Sequence, residues 1–493
     1  MSQIQISNLT FSYEGSLVEV FQNASFQIDT DWKLGFVGRN GRGKTTLLKL
    51  LLGEYEYRGQ IKSQVDFFYF PFPIQNQDDL TINVLEEINP TLEQWRIRKE
   101  MHLLELDEDI LYQVFSTLSK GEQTKILLAA LFLKEGGFLL IDEPTNHLDV
   151  QGRQQVSAYL NQKKGFILVS HDRKFLDDCV DHILSIQKQS IVVQRGNYSS
   201  YHKNKEAKDL FEWKQNEKIK GEIKAMEEAK RKTKTWSDKV EDTKIGTRVA
   251  GLRPDRGAIG HKAAKMMKRS KVMENRIDRS LDEKSKLLKE VEEKEDMKLF
   301  PQKYTKNTLV SFKNVAIQYN GNTICSDVSF ELNQGDRMNL QGRNGSGKSS
   351  IIKLILGEDI HFTGEKEIGS GMKISYVNQD TSFLEGSIQD YAIQEGIDET
   401  LFITLLRKLD LKREDLNTNI KYYSQGQKKK VLLAKSLCER AHLYIWDEPL
   451  NYIDVLSREQ IEEVILKYCP TMLFVEHDEL FCEKVATKRS VIQ

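Results

Sequence analysis

Two glycine-rich loops carry the densest chemistry in the chain: GRNGRGKTT at Gly38–Thr46 and GRNGSGKSS at Gly342–Ser350. Both fit GxxxxGK[ST], a pattern in which glycines let successive backbone N–H groups curl around phosphate oxygens at a helix N-terminus. Lys44 and Lys348 would reach the β- and γ-phosphates, and Thr45 and Ser349 would offer a hydroxyl to Mg²⁺. Gly38, Asn40, Gly41, Gly43 and Thr46 complete the first cradle; Gly342, Asn344, Gly345, Gly347 and Ser350 complete the second. Asp142 and Asp447 end the apolar runs Phe138–Ile141 and Leu443–Trp446, where a carboxylate can reach the metal's water shell. Glu143 and Glu448, one residue on, suit a general base that polarises water. Adjacent acids at a strand end are often merely solvated; a phosphate loop in the same domain favours the catalytic reading. His171 and His477 follow further apolar runs, Phe166–Val169 and Met472–Val475. A lone histidine is usually structural, but recurrence in register favours contact with a γ-phosphate.

These residues recur because the chain repeats itself. From Lys44 to Lys348, Ser119 to Ser424, Glu143 to Glu448 and His171 to His477 the offsets are 304, 305, 305 and 306. Four unlike motifs at one offset mean a tandem duplication. In each copy a strand (Lys33–Val37, Arg337–Leu340) leads into the loop, and TTLLKLLLG or SSIIKLILG follows it as a helix. Short apolar strands suit a buried parallel sheet. The expected fold is α/β: two tandem P-loop domains over 1–200 and 306–493, joined by a helical hairpin over 201–305.

The 493 residues hold 72 Lys+Arg and 73 Asp+Glu, and this balance hides an asymmetry. Tyr201–Phe300 holds 28 basic and 20 acidic residues, and Lys230–Lys271 holds 14 and four. Ile219, Ile223 and Met226, then Met273, Ile277, Leu281, Leu288 and Val291, follow helical spacing, with Gly246, Gly251, Pro254, Gly257 and Gly260 between them. Two antiparallel helices with an irregular basic tip near 236–262 are expected. Such a charge run is either a solvated face or a nucleic-acid contact. Trp236 could stack on a base or seal the helix pair, and Lys239, Lys244, Arg248, Arg253 and Arg256 are candidate phosphate contacts as a group. No apolar run approaches the ~18 residues a spanning helix needs. The start MSQIQISNLT has no export pattern, and the five cysteines form no CxxC pair. A cytoplasmic protein that does not enter the membrane is expected.

Glycine loop, Ser-x-Gly at Ser119–Gly121 and Ser424–Gly426, Asp-Glu pair and trailing histidine together resemble the nucleotide-binding domains of ABC ATPases, twice over. The resemblance implies ATP and Mg²⁺ as ligands, and a monomer whose two domains form a head-to-tail sandwich. One site would combine Lys44, Glu143 and His171 with Ser424 and Gly426; the other would combine Lys348, Glu448 and His477 with Ser119 and Gly121. Tyr13 and Tyr319 stand where the family stacks adenine, and Gln379 matches its metal-coordinating Q-loop glutamine. The first copy departs: Phe72 occupies that glutamine's place, with Gln75 or Gln77 as possible substitutes. Lys120 and Gln425 replace the usual second signature glycine. The two sites are expected to be inequivalent.

EPTNHLD at Glu143–Asp149 and GNYSSY at Gly196–Tyr201, leading into the basic helices, resemble ABC-F proteins. The tip KTWSDKVEDTKIG and HKAAKMMKRS, with WKLGFVGRNGRGKTT, is most similar to the Lsa-type antibiotic-resistance members. That resemblance implies a partner in the 70S ribosome: its E-site region, 23S rRNA near the peptidyl-transferase centre, and P-site tRNA. It implies displacement of lincosamides, streptogramins A and pleuromutilins. The alternatives are a housekeeping ABC-F translation factor and the ATPase subunit of a transporter, for which a 100-residue basic hairpin has no purpose.

Overall fold

The computed structural model describes residues 2–16, 19–146, 148–186, 191–242, 297–319 and 322–492, with scattered residues between 261 and 280. It divides into two compact units, one of Met1–Tyr201 with Glu295–Gln493 and one of His202–Lys294.

The first unit holds both α/β domains. In the first, six strands lie in the order Asp66–Phe70, Gly137–Asp142, Phe166–Val169, Lys33–Val37, His182–Ile186, Ile191–Arg195. All neighbours but the last pair are parallel. The second domain repeats the arrangement with five parallel strands, Ile374–Val377, Leu443–Asp447, Met472–Val475, Arg337–Gln341 and Lys488–Val491. A three-stranded antiparallel sheet accompanies each: Glu19–Asp29, Gln3–Ser12 and Arg58–Lys62 in the first, Asn322–Asn333, Thr308–Tyr319 and Phe362–Ile368 in the second.

Side chains alternate along a strand, so a strand buried on both faces must be apolar throughout. Gly137–Asp142 does this: Leu139 and Ile141 enter one core, Phe138 and Leu140 the other. Tyr444 and Trp446 enter one core of the second domain, and Leu443 and Ile445 the other. This adjacency positions the site. The strand before each glycine loop pairs with the strand before each histidine, which pairs with the strand ending in Asp-Glu. Because all three run parallel, their C-terminal ends open on one edge, where α/β sheets bind ligands.

The α/β unit resumes at Glu295 rather than at 306. Met297 and Leu299 are buried in the second domain's core, and Phe300–Pro301 pairs with Arg440–Ala441. In the second unit, the helix beginning at Tyr198 runs 45 residues to Asp242, about 65–70 Å at 1.5 Å per residue. It passes through Trp236 and Lys239, which therefore lie on a helix and not in an irregular tip; the first breaker, Gly246, comes only later. Lys244, Arg248, Arg253 and Arg256 lie outside the described residues. Those described between 261 and 280 are helical, and Met226 lines one apolar groove with Val272, Met273 and Ile277. Leu281, Leu288 and Val291 are also outside the described set. Among the described residues no helix is long and apolar enough to cross a membrane.

Trp446 is fully buried, and its Nε1 donates to Ser436 Oγ (2.9 Å). Trp446→Ala should destabilise the second domain by about 3–5 kcal/mol through the cavity it leaves. Urea unfolding followed on that domain would register the loss, and an unmoved midpoint would contradict this account of the core.

Candidate active sites

Each glycine loop reaches its helix through a residue only glycine can be. Gly43 has φ 93°, and a Cβ there would lie 2.6 Å from Val20; Gly347 has φ 89° and would meet Cys325 Sγ at 3.1 Å. Helices Lys44–Leu51 and Lys348–Leu356 start directly after them. Lys44 Nζ folds back on the Gly38 carbonyl (2.8 Å) and on Asn40 Oδ1 (3.2 Å), and Lys348 Nζ on the carbonyls of Gly342 and Arg343 (2.9 and 2.8 Å). Burial pushes both ammonium pKa values down against nearby carboxylates that pull them up. An arriving polyphosphate would replace those carbonyls and favour the charged form.

Thr45 Oγ1 donates to Asp142 Oδ2 (2.8 Å), and Ser349 Oγ to Asp447 Oδ2 (3.0 Å). Convergence of a hydroxyl and a carboxylate at the loop suits Mg²⁺, a hard cation that keeps several waters and takes few protein oxygens. Burial raises the Asp142 carboxyl and brings that of Asp447 to about 6.

Glu143 and Glu448 both sit in left-handed backbone, φ 52° and 46°. Their N–H groups donate to the carbonyls of Val169 and Val475 in the neighbouring strands (2.9 and 3.0 Å). Such strain in non-glycine residues is tolerated where the surroundings over-determine it, commonly at functional sites; no feature of the sequence signalled it. His171 Nε2 lies 3.2 Å from Glu143 Oε1, and His477 Nε2 lies 3.5 Å from Glu448 Oε1.

Beyond these shared features the copies diverge. Glu448 Oε2 accepts from Gln379 Nε2 and Asn451 Nδ2 (both 2.8 Å), and Lys429 Nζ donates to the Glu448 carbonyl (3.1 Å). Burial alone would raise the Glu448 carboxyl, but His477, Gln379 and Lys429 hold it below its ordinary value. In the first copy Phe72 and Thr124 replace Gln379 and Lys429. Phe72 is half-buried against the apolar core, whereas Gln75 and Gln77 are exposed. Glu143 Oε1 is buried without a well-formed hydrogen bond, and burial plus the Asp142 charge push the carboxyl up to about 8. Tyr69 donates instead to Asp142 (3.1 Å). Asn451 repeats Asn146 inside the duplicated EPxN block, so recurrence could have singled it out; Lys429 has no counterpart and left no signal.

The domains face each other head to tail. Ser119, Gly121, Asn344, Gly345, Lys348, Ser349, Ser350, Gln379, Glu448 and His477 line one pocket of about 670 Å³. Across the other cleft, Asn40 Nδ2 donates to the Tyr452 carbonyl (2.8 Å), beside Gly426, and Arg39 pairs with Asp410 (3.6 Å). Ser119 and Ser424 cap helices Lys120–Phe132 and Gln425–Cys438 in capping boxes with Glu122 and Gln427. Tyr13 and Tyr319 are partly exposed, and Tyr13 OH bonds Thr46 Oγ1 (2.6 Å).

Burial and the Asp142 charge push the Glu143 carboxyl up to about 8 in the folded protein, against an ordinary 4.5 in the unfolded chain. Its contribution to stability is therefore full below that lower value and lost as pH rises towards the upper one. Glu143→Gln should change thermal stability little near pH 4 and become increasingly stabilising towards pH 8. A difference independent of pH in parallel melts would refute this.

Comparison with known proteins agrees with the geometry. The family described as ABC transporter matches residues 21–146 and 325–451, about half the chain. The chain is 28% identical to the ATP-binding protein Uup of Buchnera aphidicola, covering 99% of this chain and 80% of that protein. It is also 28% identical to the ribosome protection protein VmlR of Bacillus subtilis, covering 98% and 85%. An archaeal ribosome recycling factor, aABCE1, shares the fold at a TM-score of 0.62 and 18% identity, covering 98% of this chain and 87% of that one. The chain belongs to the ABC transporter family and hydrolyses ATP.

Proposed function

We propose that this ATPase binds the ribosome in its ATP-bound state, enters the E-site region, and uses its interdomain arm to dislodge drugs from the peptidyl-transferase centre. The observation that carries the reading is the basic stretch Tyr201–Phe300, entered by a 45-residue helix, between two ABC domains, in a chain similar to VmlR along 98% of its length. Positive charge on a long helix tracks phosphates and gives salt-dependent affinity. Structured RNA is read mainly through its shape, backbone and 2′-OH groups.

At each cleft the Walker loop and its lysine hold the β- and γ-phosphates, and Ser119 with Gly121 or Ser424 with Gly426 meets the nucleotide from the opposite domain. Tyr13 and Tyr319 support the adenine. Thr45 and Asp142 at one cleft, and Ser349, Asp447 and Gln379 at the other, would hold Mg²⁺, which would supply charge neutralisation for the phosphates. Glu448, whose carboxyl is held low, accepts the proton of the attacking water; Glu143 takes the same part at its own site in its ionised form, and His171 and His477 orient the γ-phosphate beside them. ATP thereby closes a clamp whose outer surface fits the ribosome. The arm then reaches P-site tRNA and 23S rRNA, with Trp236, Lys239, Lys244, Arg248, Arg253 and Arg256 as its contacts, and hydrolysis releases the protein. The protein works as a monomer in the cytoplasm.

A housekeeping translation factor is the second reading, kept because the chain is equally 28% identical to Uup, an ATP-binding protein with no ribosome protection in its name. It shares the chemistry and differs only in what the arm tip does. Both readings predict that Glu143→Gln/Glu448→Gln with ATP co-sediments with 70S ribosomes, while wild type with ATP releases. Normal ATP turnover by the double variant, or no ribosome in the pellet, would count against the clamp.

A further inference from the structure

Each switch histidine is followed by an aspartate that starts a helix. Asp172 Oδ1 accepts from the Phe175 N–H, and Asp478 Oδ1 from the Phe481 N–H, both at 3.0 Å. The second oxygen is held by an arginine of the same domain: Arg153 Nη1 to Asp172 Oδ2 (2.7 Å) and Arg458 Nη1 to Asp478 Oδ2 (2.9 Å). These arginines also tie down loop carbonyls, Leu148 in the first domain and Leu450 with Ile453 in the second.

The symmetry fails at the next residue, which is Arg173 in one copy and Glu479 in the other. The Arg173 guanidinium leaves its own domain and takes both oxygens of Glu462 on helix Val455–Tyr468. It also stands 3.8 Å from Asp478 Oδ2. Arg173, Glu462 and Asp478 are all nearly solvent-free, with side-chain exposures of 4%, 4% and 1%. Lys484 Nζ closes the group on Glu462 (3.1 Å). In the reverse direction Glu479 takes Lys174 and Gln154 (the latter at 2.9 Å), and neither is the residue that follows a switch histidine. The first domain therefore reaches the residue directly after His477, whereas among the described residues Asp172, directly after His171, is ion-paired by Arg153 of its own domain.

We propose that Arg173 is a positioning residue acting across the domain interface: it fixes Asp478, and through Asp478 it sets His477 against Glu448 in the second ATP site. Two cations, Arg458 at 2.9 Å and Arg173 at 3.8 Å, converge on one buried carboxylate oxygen, Asp478 Oδ2. Ion pairs at such a buried site are screened little, so both cations favour that position of the aspartate. His477 is its chain neighbour and its imidazole stands 3.5 Å from Glu448 Oε1.

The inference rests on the assignment of Glu143 and Glu448 as the two bases. ATP turnover of the full chain is measured with only the second site competent (Glu143→Gln) and with only the first (Glu448→Gln). In the former, Arg173→Met should lower kcat about tenfold or more with KM within about twofold, because a displaced catalytic group costs rate before binding. In the latter, kcat should stay within about twofold, since Arg153 still holds Asp172. Arg173→Lys, which keeps the charge, should recover most of the second-site rate. Arg173→Met/Glu462→Met leaves no unpaired charge on Glu462 and so separates folding from positioning; it should keep the second-site loss. Equal loss in both backgrounds, an undiminished second-site rate, or recovery in the paired methionine variant would overturn the proposal. Failure of the underlying assignment has a different signature, turnover surviving in Glu143→Gln/Glu448→Gln.

Discussion

Arg173 carries a charge out of the first ABC domain into a part of the second where Glu462, Asp478 and Arg458 have almost no solvent. Ions lose their hydration there, and only close opposite partners repay that cost. A replacement by apolar side chains of similar size would hold the domains together at least as well. These ion pairs join the two domains in an arrangement where each of these charges has a partner. Both clefts depend on that arrangement, because each takes its glycine loop from one domain and its signature helix from the other.

Within that frame the clefts share a skeleton and differ in electrostatics. The skeleton is the edge of a parallel sheet, where three neighbouring strands end in the glycine loop, the Asp-Glu pair and the histidine. The difference lies in what surrounds the glutamate. Glu448 has two amide donors and a buried lysine behind it, so its charge is compensated in place. Glu143 has a phenylalanine and a threonine at the positions of Gln379 and Lys429, and an oxygen without a well-formed bond. Two copies of one machine have thus been tuned apart by substitutions near the base rather than in the motifs.

The sequence made the duplicated fold legible because motif residues end short apolar runs, and recurring runs of that length suit interior strands. The clustering of the motif residues at one edge followed from strand order. The remainder was hidden for physical reasons. The Arg173–Glu462 pair joins residues far apart in the chain, with no repeated pattern to announce it. The left-handed backbone at Glu143 and Glu448 is imposed by tertiary packing on residues that do not favour it. The core residues Met297 and Leu299 sit at the end of a charge-rich stretch, EEKEDMK, which disguised the start of the second domain. The long helix passes Trp236 because nothing before Gly246 stops it.

The central claim is that ATP turnover in the ABC body is spent, through the arm, on freeing ribosomes from drug. Its most direct test is growth of a susceptible strain in a lincosamide or a pleuromutilin while expressing three forms: wild type, a deletion of residues 238–260, and Glu143→Gln/Glu448→Gln. The account predicts protection by wild type alone. Loss of protection in all three, with good expression and intact ribosome binding, would contradict it and favour a housekeeping role in translation.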